Sequence, residues 1–490
     1  MNYARPEEVG IKSSSIKKYI EVLEKNNLST HDLIIMRHGK VVFEKYWAPF
    51  DKDFLHRMYS VTKSFVSLAI GFAEQDGLLN LDDKIEKYFP KELENQPDEN
   101  MKNQTIRHML KMSTAKPGED WFSARYPDRV EFYFKNGRYE SRPSGSIYEY
   151  DSSGSFVMGA LVERLTGKTL MEYLREKCLD KIGFSKEAYM LKCPGGHSWG
   201  DSALICKPTD LLKAAQFCMN KGKWNGEQLL NEKYMTDATT KQIDNNTLCI
   251  NNADSQGYGY QFWMSYDNSF FFNGMGCQFA LCIPDKDIIM VYNGDNQGIV
   301  VAKKVILDNF FDLISRPASD DVLPENDAEY RELVDYADTL KLFAAKGDMH
   351  NGFEKEINNV TYKMTKNPMG ISKMKLSFGE DSGTLYYTNE QGDKEIKFGL
   401  CRNEFVPFPQ EGYSDEIGSQ KGNRLYDCAA SGAWVGERQF FISVQIIDTY
   451  FGRLNINIGF DENRNIGVFM NKTAEDFLNE YQGFAGGIQE

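Results

Sequence analysis

The sequence is short of histidine, of paired cysteine, of positive charge and of long apolar runs, and each shortage closes off a class of protein. Six histidines in 490 residues leave few candidates for any mechanism that needs an imidazole. Nine cysteines are scattered from Cys178 to Cys428 without a Cys-x-x-Cys pair, which suits neither a disulfide framework nor a zinc knuckle. Reduced, mostly buried thiols are the expectation, and no spacing of His, Cys, Asp and Glu suggests a metal site. Lys plus Arg number 57 against 71 Asp plus Glu, a net charge of −14, which argues against a nucleic-acid binder relying on phosphate neutralisation. No stretch approaches the ~18 apolar residues of a membrane span, and the amino terminus from Met1 to Glu8 has no apolar signal core. A cytoplasmic protein with neither nucleic-acid nor membrane partners is expected, of unknown oligomeric state.

What is present is a globular composition, with 41% hydrophobic and 13% aromatic residues. The length exceeds the roughly 250 to 300 residues of one core, so two domains are expected. Leu33 to Met36, the turn His38-Gly39 and Val41 to Phe43 read as a hairpin near the start. A second spans Gln278 to Asn293 with its turn at Pro284 to Asp287. Between them the pattern is mainly helical, including Phe156 to Leu165 and Pro208 to Met219, and Ile299 to Ile314 reads as an amphipathic helix. Strands from both ends of a segment that encloses helices predict an α+β fold: one antiparallel sheet flanked by helices, with a helical insertion. Pro, Ser and paired acids from Arg316 to Pro324 break the periodicity. The domains are placed at 1–316, a linker and helix at 317–348, and 349–490. In the last, short alternating runs such as Met374 to Phe378, Phe440 to Val444 and Leu454 to Ile458 predict an antiparallel barrel, lipocalin-like, or a sandwich.

Two serines compete as nucleophile. Gly196-His197-Ser198-Trp199-Gly200 matches Gly-x-Ser-x-Gly, but Cys193-Pro194-Gly195 precedes it where an elbow needs a buried strand. Its triad histidine would have to be His350, in the second domain. The rival is Ser60-Val61-Thr62-Lys63. Ser-x-x-Lys alone is weak, because Ser14, Ser15, Ser113 and Ser372 also have lysine three residues on. Ser60 differs in standing at the amino end of an apolar helix (Val61, Phe65, Leu68, Ala69, Phe72), where free N–H groups and the helix dipole favour negative charge. Residues i and i+3 share a helical face, so the Lys63 amine can reach the Ser60 hydroxyl. Serine needs a neighbouring base, and a desolvated lysine can be one. From the tetrad alone, a plain helix cap with a solvated lysine is the favoured reading.

The stretch His56 to Phe65, followed by Gly77-Leu78-Leu79-Asn80-Leu81-Asp82-Asp83 and Tyr88-Phe89-Pro90, resembles the first motif of the serine β-lactamase, penicillin-binding protein and esterase superfamily. It is most similar to the class C-like branch that includes 6-aminohexanoate-dimer hydrolases and carboxylesterases. Further matches follow in order: Thr105 to Leu110, Tyr150-Asp151-Ser152-Ser153-Gly154, Glu163 to Gly167, Pro208 to Leu211 and Trp224 to Leu230, covering about the first 316 residues. The resemblance implies a β-lactamase/transpeptidase-like fold and a cofactor-free acyl-enzyme on Ser60, with Lys63 and Tyr150 as proton partners. Tyr148 would be a packing aromatic. Ser152 stands where the family has asparagine and would still offer Lys63 a hydroxyl. The third motif falls at Phe272-Asn273-Gly274 without its usual cation, which puts penicillin recognition in doubt. The N–H of Ser60 and that of Met275 would form the oxyanion hole beside Gly274, with Gly276 the alternative to Met275. His56 and His108 are expected to be local hydrogen-bonding residues, the turn at Gly200 to Leu204 to be structural, and Trp434, Tyr450 and Phe451 to be core or rim aromatics. The expected activity is hydrolysis of a small ester or amide. The alternatives are a β-lactamase or D-alanyl-D-alanine peptidase, and a silent binding protein on the same fold.

Overall fold

A computed structural model describes residues 1–94, 98–118, 128–135, 140–193, 195–246, 250–410, 425–475 and 477–490. Its contacts divide into two units, Met1–Lys341 and a second that begins at Leu342.

In the first unit seven strands form one sheet: β1 (Asn2–Tyr3), β2 (Thr30–Arg37), β3 (Lys40–Tyr46), β4 (Trp263–Met264), β5 (Phe270–Gly274), β6 (Gln278–Ile283) and β7 (Ile288–Gly294), in the order β1-β3-β2-β7-β6-β5-β4. All neighbours are antiparallel except β1 on β3. Both expected hairpins form. His38 and Gly39 take φ of 51° and 70°, the left-handed pair that a tight two-residue hairpin turn requires. The central strands are buried on both faces, so they read as continuous apolar runs with no alternation. One face meets α1 (Ser13–Lys25) and, later in the chain, a helix at Ala302–Phe310, through Tyr19, Ile20, Leu23, Ile306 and Phe310.

Three helices enclose the site. α2 (Thr62–Gln75) is buried from Thr62 to Ala73, apolar all round as a central helix must be. It stops at Gly77, φ 72°, where Leu78 N–H returns to Ala73 O at 2.9 Å. α3 (Ser152–Thr166) starts on the Asp151 side chain, which accepts from Gly154 N–H at 3.1 Å, and ends at Gly167 in the left-handed region. α4 (Pro208–Met219) packs on the sheet, where the Cys282 thiol lies 3.7 Å from Ala215 O. The helix at Ala302–Phe310 is α5, and α6 is Asp327–Ala337.

The domain boundary differs from the expected one. α6, read as part of a linker, packs on α1 and joins the core of the first unit through Leu333 and Ala337, with Leu340 in the same core just beyond its end. The Pro- and Ser-rich break at 316–324 is therefore a connection inside that unit.

The second unit is a closed barrel. Its strands are β8 (Thr361–Met364), β9 (Lys373–Phe378), β10 (Ser382–Asn389), β11 (Gly392–Leu400), β12 (Glu404–Pro407), β13 (Asp427–Gly436), β14 (Gln439–Ile447), β15 (Phe451–Phe460), β16 (Ile466–Ala474) and β17 (Gly483–Gln489). The order runs β11-β10-β9-β8-β17-β16-β15-β14-β13, and β11 closes on β13 by pairing Gly399 with Ser431 and Leu400 with Gly432. That closure selects barrel over sandwich. Aromatic side chains fill the interior: Phe378 stacks on Trp434 at 5.6 Å, and Phe440 meets Phe378 and Trp434 edge-on at 5.1 Å each. Trp434, Tyr450 and Phe451 are all buried.

Among the described residues no helix is long and apolar enough to cross a membrane. The eight described cysteines are free thiols, seven of them buried.

Candidate active site

Ser60 lies in a tight helical turn, Tyr59–Val61, that runs directly into α2. The residue before it is strained: Tyr59, 1% exposed, has φ of 46°, a region that bulky residues avoid. Neighbouring groups hold it there. The Arg57 guanidinium lies 4.4 Å over the Tyr59 ring, and Thr62 Oγ1 donates to Tyr59 O at 2.6 Å. His56 and Arg57 pair antiparallel with Cys206 and Ile205, and Met58 N–H donates to Leu204 O at 2.8 Å.

Lys63 is 1% exposed, and its Nζ donates to Ser60 Oγ at 2.8 Å and to Asp201 O at 2.7 Å. The solvated-lysine reading is therefore excluded. The turn at Gly200 to Leu204, expected to be structural only, supplies that second acceptor. Asp201 comes three residues before the strand segment that pairs with the Ser60 segment, which places its carbonyl at the amine. A backbone carbonyl has no signature in residue type, so this partner was not legible.

Tyr150 stands just before the Asp151 cap of α3, with its ring centroid 5.1 Å from Lys63 Nζ and 5.5 Å from the Trp263 ring. At 36% exposed, it borders solvent. Tyr148 is buried against Tyr258 and Trp263 at 5.4 and 6.4 Å, the packing role expected of it. Ser152 corrects an expectation. It is the first residue of α3, and its hydroxyl makes no hydrogen bond among the described residues; the Lys63 amine is held by Ser60 Oγ and Asp201 O instead.

The third segment approaches from the sheet. Gly274 ends β5, and a Cβ there would lie 2.4 Å from Met58 O, so only glycine lets this strand reach the Ser60 segment. Gly274 pairs with Gln278 around a loop of Met275, Gly276 and Cys277, the last two with φ of 79° and 75°. Gln278, fully buried, sets the loop: its Nε2 donates to Met275 O at 2.9 Å and to Gly294 O at 2.6 Å. Asn296 N–H donates to Gly276 O at 3.0 Å. Neither Ser60 N–H nor Met275 N–H donates a hydrogen bond among the described residues. Gln278 is a supporting residue that sequence reasoning passed over.

The remaining candidates fall outside this group. Ser198 lies in a loop where its N–H donates to Glu163 Oε1 at 3.2 Å, and His197 Nδ1 meets Glu163 Oε2 at 2.7 Å. Burial pushes the Glu163 carboxyl up, but the hydrogen bonds from His197 and Ser198 outweigh it and hold it below the usual range. Ser198 does not sit between a strand and a helix, so no elbow forms; Pro194 lies outside the described residues. His108 completes a capping box with Thr105 and meets Ser144 Oγ at 2.9 Å. His56 Nε2 meets His31 Nδ1 at 2.9 Å and lies 4.0 Å from Asp32, itself bound by the Asn293 amide at 2.9 and 3.1 Å. Burial lowers His56 to about 3 and raises Asp32 to about 8.

A family model described as Beta-lactamase matches residues 21–298, more than half of the chain. A 6-aminohexanoate-dimer hydrolase of Paenarthrobacter ureafaciens is 19% identical over 247 residues, 47% of this chain and 63% of that protein. An uncharacterized protein of Alkalihalophilus pseudofirmus is 23% identical over 259 residues, 47% of this chain and 70% of its own. Among solved structures, a Bacillus anthracis protein assigned by name to the 6-aminohexanoate-dimer hydrolases superposes with a TM-score of 0.53 at 19% identity, covering 64% of this chain and 86% of that one. The chain belongs to the beta-lactamase family.

Proposed function

We propose that this chain is a serine hydrolase of small esters or amides that works through an acyl-enzyme on Ser60. The observation that carries the reading is the buried Lys63 amine 2.8 Å from the Ser60 hydroxyl. With the amine neutral, that contact runs the other way and Lys63 takes the serine proton as Oγ attacks the substrate carbonyl carbon. The Ser60 and Met275 N–H groups are the donors offered to the oxygen that becomes negative. Tyr150, beside the Lys63 amine, hands a proton to the leaving oxygen or nitrogen as the carbonyl re-forms. Water then attacks the acyl carbon and gives its proton back through the same pair, which frees Ser60. A hydrolase among the family's relatives and the strained Tyr59 support the same reading. Phe272 stands where the family's cation would be, so an uncharged or weakly charged substrate is favoured over a β-lactam or peptidoglycan stem carboxylate.

The test is fluorophosphonate labelling and turnover of p-nitrophenyl esters and anilides. Ser60→Ala should lose labelling and lower kcat by on the order of 10⁴-fold or more, while Ser198→Ala should leave both intact. Labelling of Ser60→Ala at the parental rate overturns the reading. Turnover of nitrocefin at rates matching the esters would replace it with the β-lactamase alternative.

A further inference from the structure

One residue outside the proton-transfer group ties its members together. Gln261 is 2% exposed, two residues before Trp263, with φ of 63°. Its main-chain oxygen accepts from Ser64 Oγ at 2.7 Å, next to Lys63 on α2. Its side-chain oxygen accepts from Ser155 Oγ at 2.6 Å, on the first turn of α3 after Tyr150. Its amide nitrogen donates to Met109 O at 3.1 Å and Leu110 O at 2.8 Å, and its own N–H donates to Leu110 O at 3.0 Å. The chain just beyond Leu110 in turn holds the tyrosine segment, since Glu149 N–H donates to Met112 O at 2.8 Å.

We infer that Gln261 is a positioning residue that sets the lysine and tyrosine of the site in register. The inference rests on the hydrolase reading above. Its argument is geometric. The amide places both hydrogens on the Met109–Leu110 segment and its oxygen on α3, while the main-chain oxygen holds α2; an apolar side chain of the same size could not make the first two ties. A glutamine held in the left-handed region is a poor choice for a merely filled position, because that backbone conformation is strained for a residue with a Cβ. The Lys63 amine lies 5.1 Å from the centroid of the Tyr150 ring, a spacing that depends on how α2 is placed against the segment leading into α3. An offset of about 1 Å at reacting groups costs on the order of 10²-fold in rate.

Four variants of the full chain test it: Gln261→Gly, which keeps the backbone conformation free of strain and deletes the amide, Gln261→Asn, Ser155→Ala and Ser64→Ala. The readouts are kcat and KM for an ester that Ser60→Ala fails to turn over, the pH profile of kcat/KM, and the melting temperature. Gln261→Gly is expected to lower kcat by about 30- to 100-fold with KM changed less than about 3-fold, and to move a limb of the pH profile. Ser155→Ala should shift the same limb by less, and its effect should vanish in the Gln261→Gly background. Gln261→Asn should recover part of kcat. A lowered melting temperature with kcat and pH profile unchanged in the folded fraction makes Gln261 purely structural and overturns the inference, as does full additivity with Ser155→Ala. Activity that survives Ser60→Ala would instead overturn the hydrolase reading itself.

Discussion

In the unit that carries Ser60, the side chains of Asp32, Arg57, Lys63, Asp151 and Asp201 are each at most 3% exposed. The barrel's buried polar residues, among those described, are Gln410, Ser431, Ser443, Gln445 and Asp448, and only one of them is ionisable. Both units have dense apolar cores, so the contrast is not one of size or hydrophobicity. Burying charge is unfavourable unless partners offset it. A fold that does so repeatedly around one serine is spending stability on chemistry, while the barrel keeps an interior in which nearly every contact is stabilising.

Lys63→Met gives the largest expected effect. Turnover should fall about 10²- to 10⁴-fold, yet denaturant midpoints should move little: removing a buried amine relieves its desolvation, and losing a donor to Asp201 O offsets that by about 1 to 3 kcal/mol. A large loss of stability would mean the amine is structural, and the contrast between units would collapse. In the barrel the balance reverses. Phe440→Ala removes a ring packed on Phe378, Trp434 and Phe398, and should cost about 3 to 5 kcal/mol in the unfolding of that unit. A cost under ~1 kcal/mol would show the interior to be loosely packed. Smallest over the pH range to be measured is a titrational effect. Asp32 is raised by burial from 3.8 to about 8, so the folded protein holds a proton that the unfolded chain releases. Stability is then fully present below pH 4 as far as this group is concerned and declines by up to about 1.4 kcal/mol per pH unit until pH 8. His56, lowered from 6.5 to about 3, acts oppositely: its contribution is present above pH 6.5 and lost as pH falls toward 3. Melting temperature followed from pH 6.5 to 8.5 should fall in the parent and stay flatter in Asp32→Asn. Equal slopes would show Asp32 to be ionised and paired in the native state.

The sequence made the hairpins and the helix at Pro208–Met219 legible, because each is written within a few residues of chain: a turn dipeptide, a proline at a helix start. The Ser60-x-x-Lys63 pair stood out from the other such tetrads through the apolar helix behind it and the resemblance of the motifs around it to a known family. Gly274 was found through the resemblance of its segment to the family's third motif; that its bare Cα also makes room for Met58 O shows only in the structure. What escaped was non-local. Asp201 acts through a carbonyl that any residue carries. Gln278 and Gln261 are glutamines in apolar surroundings, and nothing in the local pattern says whose carbonyls they will meet. The helix at Asp327–Ala337 fell in the linker because the Pro, Ser and paired acids from Arg316 to Pro324 precede it; its buried Leu333 and Ala337 gain meaning only once α1 is there to receive them. Barrel and sandwich share one alternation of side chains, and the pairing of Leu400 with Gly432 that separates them joins positions far apart in sequence.

That closure has a further consequence for how the chain behaves in a crowded solution. A sheet bent into a ring keeps almost no open margin, and open margins are where foreign strands add on. Among the described residues the strand left over is β12, on the flank of β13; it is four residues long, begins on Glu404 and ends on Pro407, which has no N–H to offer a newcomer. A strand-rich unit of this size would ordinarily be a template for fibrous aggregation. Here the remaining margin is short, charged at one end and chemically capped at the other.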